Sequence, residues 1–408
     1  MEIQTNNVPS SCIYCDGPGP FSDEHVIPAG LGGDDNRFLL KDMVCKECNT
    51  NRFSPLELEF LRSSPLAISR LFEQRQGRKR GAKENNPKIN ASRKHIIDAD
   101  GRSLEADFGA NGRVELLPQL IRTDEKTINF HARNIETTSR MVEACRETLG
   151  SSVVCAFKHS TGGQEQTMSA VYEWESDTYV EKSRLASQKI RGDYIWLSFD
   201  DSIETIPGHN ISLFQRMNGQ LVLKTNNPDS IVDALNFFRK AVAQLNLDSA
   251  RESNIENPLV SMTSGFSIDV LPRVFGKIAF NILAHLVPRE YLSHPEFAPI
   301  KQSIVTGEPR LPFYPQELIA HFDKLLKRLT PEGHHSFLVS AAPSPLGGFR
   351  VYVVAQLYGA NVQLFMLGAS LPRPPAKLPA LLLVDYNEHR IRKLEPHQFL
   401  VFYSALPK

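Results

Sequence analysis

The sequence predicts an α+β protein in which a small cysteine-rich zinc module precedes a larger mixed domain with a β-rich C-terminal end. Three observations carry that reading. Four of the six cysteines fall in the first 48 residues as two Cys-x-x-Cys pairs. Helix-period and strand-like stretches then follow one another without a repeat. The last part of the chain is a series of short apolar runs of strand length, Phe337–Ala341, Arg350–Leu357, Val362–Leu367 and Leu381–Asp385, bounded by turn residues.

Length and composition set the frame. A chain of 408 residues is long enough for two or three domains. With 41% hydrophobic and 23% charged residues it has the composition of a globular protein. The formal net charge is zero, which argues against a protein that coats nucleic acid everywhere but leaves room for a local basic surface. No apolar run reaches the roughly 18 residues that span a bilayer, and Met1–Asn7 lacks the basic and apolar regions of a signal peptide. The expectation is a cytoplasmic protein with no membrane partner.

Residues 1–69 form the first expected domain. Phe53, Leu56 and Phe60 recur at helical spacing, and Pro55 suits the first turn after Ser54, so a helix is expected over Ser54–Leu61. Ser63-Ser64-Pro65 marks a break. Residues 70–95 read as a basic linker. Arg70, Arg75, Arg78, Lys79, Arg80, Lys83, Lys88, Arg93 and Lys94 face only Glu73 and Glu84. Residues 96–408 read as one α+β domain with a helical portion near 226–335 and a β-rich portion over 336–408. Within it, a helix ends at Gly150 and Asn218-Gly219 signals a hairpin. Helices are expected from Ile231 to about Leu245 and from Val270 to about Val287, with Val274–Ala284 reading as fully buried.

Cys12-Ile-Tyr-Cys15 and Cys45-Lys-Glu-Cys48 each place two thiolates on a tight turn. Two such turns complete a tetrahedron of four sulfurs around a structural zinc, a closed site with no position for water. A disulfide framework would spread its cysteines through a short secreted chain. Cys145 and Cys155 fall on apolar-periodic segments and read as core residues. His334-His335 is expected in a turn, its two rings pointing apart. Gly30-Leu-Gly-Gly33 reads as a turn, because no Lys-Ser/Thr follows to make a phosphate loop.

Between the cysteine pairs lies Phe21-Ser-Asp-Glu-His25-Val-Ile-Pro28, and Asn49 follows the second pair directly. In this nesting, residues 12–60 resemble the HNH endonuclease family, in the branch with Cys-x-x-Cys before an acidic-His-apolar-Ile-Pro motif and Cys-x-x-Cys-Asn after it. The resemblance implies a ββα-metal, treble-clef-like fold and hydrolysis of phosphodiester bonds in DNA, with RNA also open. It implies His25 as general base, able to take a proton near neutral pH. Glu24 and Asn49 would hold a catalytic magnesium or manganese, hard cations that suit oxygen ligands. Asp23 is an alternative ligand to Glu24, and Asn51 or Glu57 to Asn49; Asn49 can also be read as a helix cap. The family often carries a further asparagine that buttresses the histidine's loop, where this chain has Leu40. Neighbouring strand residues point to opposite faces, so Glu24 and His25 share a site only at a bulge or a strand end. Arg75, Arg78, Lys79, Arg80 and Lys83 are candidate phosphate contacts beside the site.

The leading expectation is a metal-dependent DNA endonuclease with a C-terminal targeting, sensing or oligomerisation domain. That domain would respond to a small molecule, a partner protein or a second copy of the chain, as in antiphage defence proteins of this architecture. The alternative is a zinc-dependent module that binds nucleic acid or protein without cleaving.

Overall fold

The computed structural model describes residues 11–75, 87–91, 93–109, 112–161, 164–186, 190, 192–200, 203, 209–248, 250, 253–312, 314, 316–395 and 397–398. It divides into two compact units. One comprises residues 1–91, 110–112 and 264–408; the other comprises 92–109 and 113–263. This differs from the division expected from the sequence. The stretch 264–408 does not continue the domain that starts near 96 but packs with the N-terminal residues, and 92–263 is largely an insertion into that first unit. The cause is the apolar surface of the N-terminal segment, which is completed by residues far along the chain.

In the first unit, β1 (Phe21–His25) and β2 (Leu39–Cys45) form an antiparallel hairpin. A π-helical segment, Glu47–Phe53, runs directly into α1 (Ser54–Ser63), with Pro55 in its first turn as expected. The break at Ser64-Pro65 is followed by a second helix, α2 (Leu66–Glu73). Arg70, counted from sequence with the basic linker, lies inside α2. It is buried, and its guanidinium donates to the carbonyls of Gly30 (3.0 Å) and Leu61 (3.3 Å).

The Val270–Leu286 helix is the centre of this unit. It is buried on nearly every side, as expected for Val274–Ala284. Phe280 packs on Tyr14 and Phe297, and Phe275 packs on Phe60 and stacks on Phe365. One continuous core thus joins the hairpin, α1, this helix and the C-terminal sheet. That sheet is antiparallel, in the order Ala360–Leu371, Phe349–Leu357, His334–Pro343, Ala380–Asp385, Arg390–Leu394. Alternate residues serve opposite faces. Phe337, Val339, Val353 and Leu382 join the core of the 270–286 helix, whereas Leu338, Val354, Leu381 and Leu383 pack with Leu326 and Leu329 of the helix Gln316–Leu329.

The second unit carries an eight-stranded mixed sheet, packed by the helices Ile135–Leu149 and Ile231–Gln244, and a separate four-stranded sheet. The hairpin expected at Asn218-Gly219 joins Ser212–Gln215 to Leu221–Thr225, with Gly219 at φ 87° where a side chain would be strained. Cys145 and Cys155 are fully buried in this unit's core, as expected. Burial alone pushes the Cys145 thiol up to about 12. A cavity of about 660 Å³ opens beside the start of the Ile135–Leu149 helix, bordered by Arg102, Phe130 and Arg133.

His334-His335 does not form the expected turn; the pair begins the strand His334–Pro343. His335 is enclosed between the rings of Tyr358 and Tyr386, and its Nδ1 accepts the Tyr358 backbone N–H at 3.2 Å. Burial drives its pKa down to about 3, with His334 adding to the effect. Below the ordinary value near 6.5 the unfolded chain therefore binds a proton that the folded chain refuses. Stability is lost as pH falls through that window and is unaffected above it, at roughly 1.4 kcal/mol per pH unit. Urea unfolding between pH 7 and pH 4 should show a shallower acid loss for His335→Phe than for wild type. Phe280→Ala, which empties the centre of the shared core, should cost about 3–5 kcal/mol in the same assay.

Candidate functional site

The cysteine quartet is built by backbone geometry. Cys12 N–H donates to Gly17 O (2.8 Å) and Asp16 adopts φ 54°, which folds the first knuckle back on itself. Ile13 N–H donates to Met43 O (2.9 Å) and draws that knuckle onto the end of β2. The backbone N–H of Cys45 points at Cys12 Sγ and that of Cys48 at Cys45 Sγ, both at 3.4 Å. The four sulfurs all lie within 4.8 Å of one another, with Cys15 and Cys45 at 3.6 Å. A tetrahedral zinc with Zn–S near 2.3 Å needs sulfurs roughly 3.8 Å apart. The quartet can therefore hold a zinc ion, as the spacing predicts. A hydrogen bond from Cys48 pulls the Cys12 thiol down to about 4. The same bond and burial hold Cys48 up.

The hairpin does have a bulge, but between Ser22 and Glu24. Glu24 and His25 remain in regular register with Leu40 and Leu39, so their side chains take opposite sides. Glu24 is only 3% exposed. Its carboxylate pairs with the ammonium of Lys277, which also pairs with Glu57. Lys277 lies over the ring of Phe53. Asn281, one helical turn from Lys277, donates to Glu24 Oε1 at 3.0 Å and to the carbonyl of His25 at 3.0 Å. Tyr14, from the middle of the first zinc knuckle, donates its hydroxyl to Asn281 Oδ1 at 2.5 Å.

Electrostatics agree with this geometry. Burial disfavours the Lys277 charge, but two carboxylates outweigh it and hold the ammonium protonated above its ordinary range. Burial raises Glu24, and Glu57 adds to the rise because two carboxylates share one cation. Burial, then the charge of Glu24, keeps the Tyr14 hydroxyl protonated as a donor.

On the other side of the hairpin, the His25 side chain is 23% exposed and its Nε2 lies 2.7 Å from Asp35 Oδ1. An ionised carboxylate only accepts hydrogen bonds. In the neutral ring Nε2 therefore carries the hydrogen, and the lone pair lies on Nδ1. Asn49 neither caps α1 nor stands apart from the hairpin. Its Nδ2 donates to Ser22 Oγ and to Asp23 O, both at 3.0 Å, stapling the π-helical segment to β1. That leaves Oδ1 as the side-chain atom able to accept.

The site thus differs from the sequence expectation at Glu24. Its carboxylate is committed to Lys277 and Asn281 inside the core and does not face the His25 side. Glu57 is held by the same lysine, and Asn51 donates to Glu47 at 2.6 Å. Among the described residues, the cysteine quartet is the one group of three or more His, Cys, Asp or Glu ligands close enough to share an ion. Gly30–Gly33 is the expected turn, and a close one. Gly32 has φ 85°, and a Cβ at Gly33 would meet Ile27 O at 2.0 Å. Arg75 donates its backbone N–H to Asn387. Arg78, Lys79, Arg80 and Lys83 lie outside the described residues.

Asp35, Tyr14, Lys277 and Asn281 carry no motif. The one sequence signal for the last two is their i, i+4 spacing in an otherwise apolar helix, which puts two polar side chains on one buried face. Comparison with protein-family models, curated proteins and solved structures gives no match, so the site rests on its own geometry.

Metal analysis of carefully prepared protein should give about one zinc per chain, as four thiolates imply. Cys12→Ala or Cys45→Ala should abolish that binding. Because the knuckles share a core with the 270–286 helix, the loss should also lower the melting temperature of the whole first unit. Zinc content near zero in the wild type would contradict the site.

Proposed function

We propose that the chain is a metal-dependent DNA endonuclease in which His25 is the general base and the cysteine quartet holds a structural zinc. One observation carries the reading. A partly exposed histidine stands at the end of a hairpin pinned between two cysteine knuckles, with one ring nitrogen bonded to a carboxylate and the other free to accept a proton in the neutral ring. That is the arrangement hydrolysis of a phosphodiester requires of a base. His25 Nδ1 takes a proton from water as the water oxygen attacks phosphorus. Asp35, bonded to the opposite nitrogen, fixes the tautomer and stabilises the imidazolium that forms. The phosphorus–oxygen bond to the leaving sugar breaks, and that oxygen is protonated from solvent.

A catalytic magnesium or manganese would neutralise charge on the phosphate and the leaving oxygen. The donor set fits it in part. Glu24 is taken by Lys277, which would leave Asn49 Oδ1 and the exposed Asp23 to hold the ion. Magnesium is commonly held by one or two protein oxygens, with water and substrate phosphate supplying the rest. Arg75 and the basic residues after it would add phosphate contacts.

The second reading is a zinc-dependent binding module without cleavage. It is favoured by the inward commitment of Glu24. Incubating the full chain with supercoiled plasmid and magnesium or manganese separates the two. The endonuclease should nick DNA, with His25→Ala slower by about 10²–10⁴-fold and Asp35→Asn slowed less. Equal nicking by wild type and His25→Ala, or no cleavage of DNA or RNA with either metal, would leave the binding module.

A further inference from the structure

We infer that Asn281 is the positioning residue of His25, so that the hairpin site is completed by a helix 256 positions away in sequence. The inference rests on the endonuclease reading above. His25 is the last residue of β1, where the strand ladder ends. Two bonds clamp the peptide group that follows it. The His25 carbonyl accepts from Asn281 Nδ2 at 3.0 Å, and the Val26 N–H donates to Phe38 O at 3.0 Å. With both sides of that peptide plane held, the His25 backbone is fixed and its side chain can turn only about its own bonds.

The clamp is itself fixed. Asn281 is fully buried, and each hydrogen of its Nδ2 has a partner, one on His25 O and one on Glu24 Oε1. The Tyr14 hydroxyl donates to Oδ1, so the amide cannot flip without placing a donor against a donor. Lys277 holds Glu24 in the position from which it accepts. Glu24 therefore serves as an anchor for the amide that holds His25. Leu40, opposite Glu24 in the hairpin, is buried and apolar and has no polar side chain to supply such a bond. A misplacement of about 1 Å in a catalytic group can cost on the order of 10²-fold in rate, which is the scale on which a lost clamp acts.

The test uses the full-length, zinc-loaded protein and the isosteric substitution Asn281→Asp, which removes the donor and keeps the volume. Nicking of supercoiled plasmid should show kcat reduced by roughly ten- to a hundred-fold, with KM changed by less than about twofold and zinc content unchanged. Activity relative to wild type should recover as pH falls, because a protonated carboxyl regains a donor. Tyr14→Phe, which leaves Asn281 in place but frees its amide, should lose less. Should Asn281→Asp fail to fold, Asn281→Ser carries the same comparison. A second readout is independent of cleavage. His25-Val26 is the one His-Val step in the chain. Labelling histidine with carbonyl ¹³C and valine with ¹⁵N therefore gives a single correlation for this peptide. Its carbonyl shift should move in Asn281→Asp. An unmoved resonance with kcat within about twofold of wild type would overturn the proposal and leave the endonuclease reading standing. If the wild type cleaves nothing, that reading fails, and the carbonyl shift still decides: moved, the clamp holds; unmoved, it does not.

Discussion

The first unit depends on one buried cation. Lys277 is 2% exposed, in the middle of a helix whose buried residues are mostly apolar. An ammonium in such a place costs several kcal/mol unless its charge is met. It is met by Glu24 from the hairpin and Glu57 from α1. These three groups come from three stretches of chain, so the ion cluster can form only when hairpin, α1 and the 270–286 helix are all in place. Replacing the cluster with apolar groups would be energetically tolerable. Removing one member and leaving the others buried would not.

From that constraint the rest of the site follows. Once Lys277 fixes Glu24, Glu24 and Tyr14 fix the Asn281 amide, and the amide fixes the His25 carbonyl. Tyr14 sits between Cys12 and Cys15, so the zinc knuckle is tied to the same network. The cysteine quartet and the His25 backbone are therefore tied to one buried network, which rests on the 270–286 helix. An N-terminal module excised at residue 69 would lack that helix and the aromatic surface of Phe275 and Phe280 that closes its core.

Local features were legible in the sequence because their causes are local. Cys-x-x-Cys spacing fixed the quartet, Pro55 and the 3.6-residue period fixed α1, and Asn218-Gly219 fixed a hairpin. The alternating and continuous apolar runs gave the C-terminal sheet, whose two buried faces explain why Ala380–Val384 reads as unbroken hydrophobic sequence. What was not legible is long-range. The domain boundary was misplaced because composition changes at residue 70 while the core does not end there. Glu24 looked like a metal ligand because it sits beside His25. Its partner is 253 residues away, and only the fold reveals that a lysine waits inside for it. His334-His335 read as a turn between helix and strand, but the strand already begins at His334.

The role of the buried cation is tested most directly by the unfolding free energy of Lys277→Met set beside that of the triple variant Lys277→Met, Glu24→Gln, Glu57→Gln. A loss of about 3–5 kcal/mol is expected in the single variant, where two carboxylates are left buried without their cation, with substantial recovery in the triple variant. A single variant as stable as wild type would contradict the claim that this cation holds the hairpin, α1 and the central helix together.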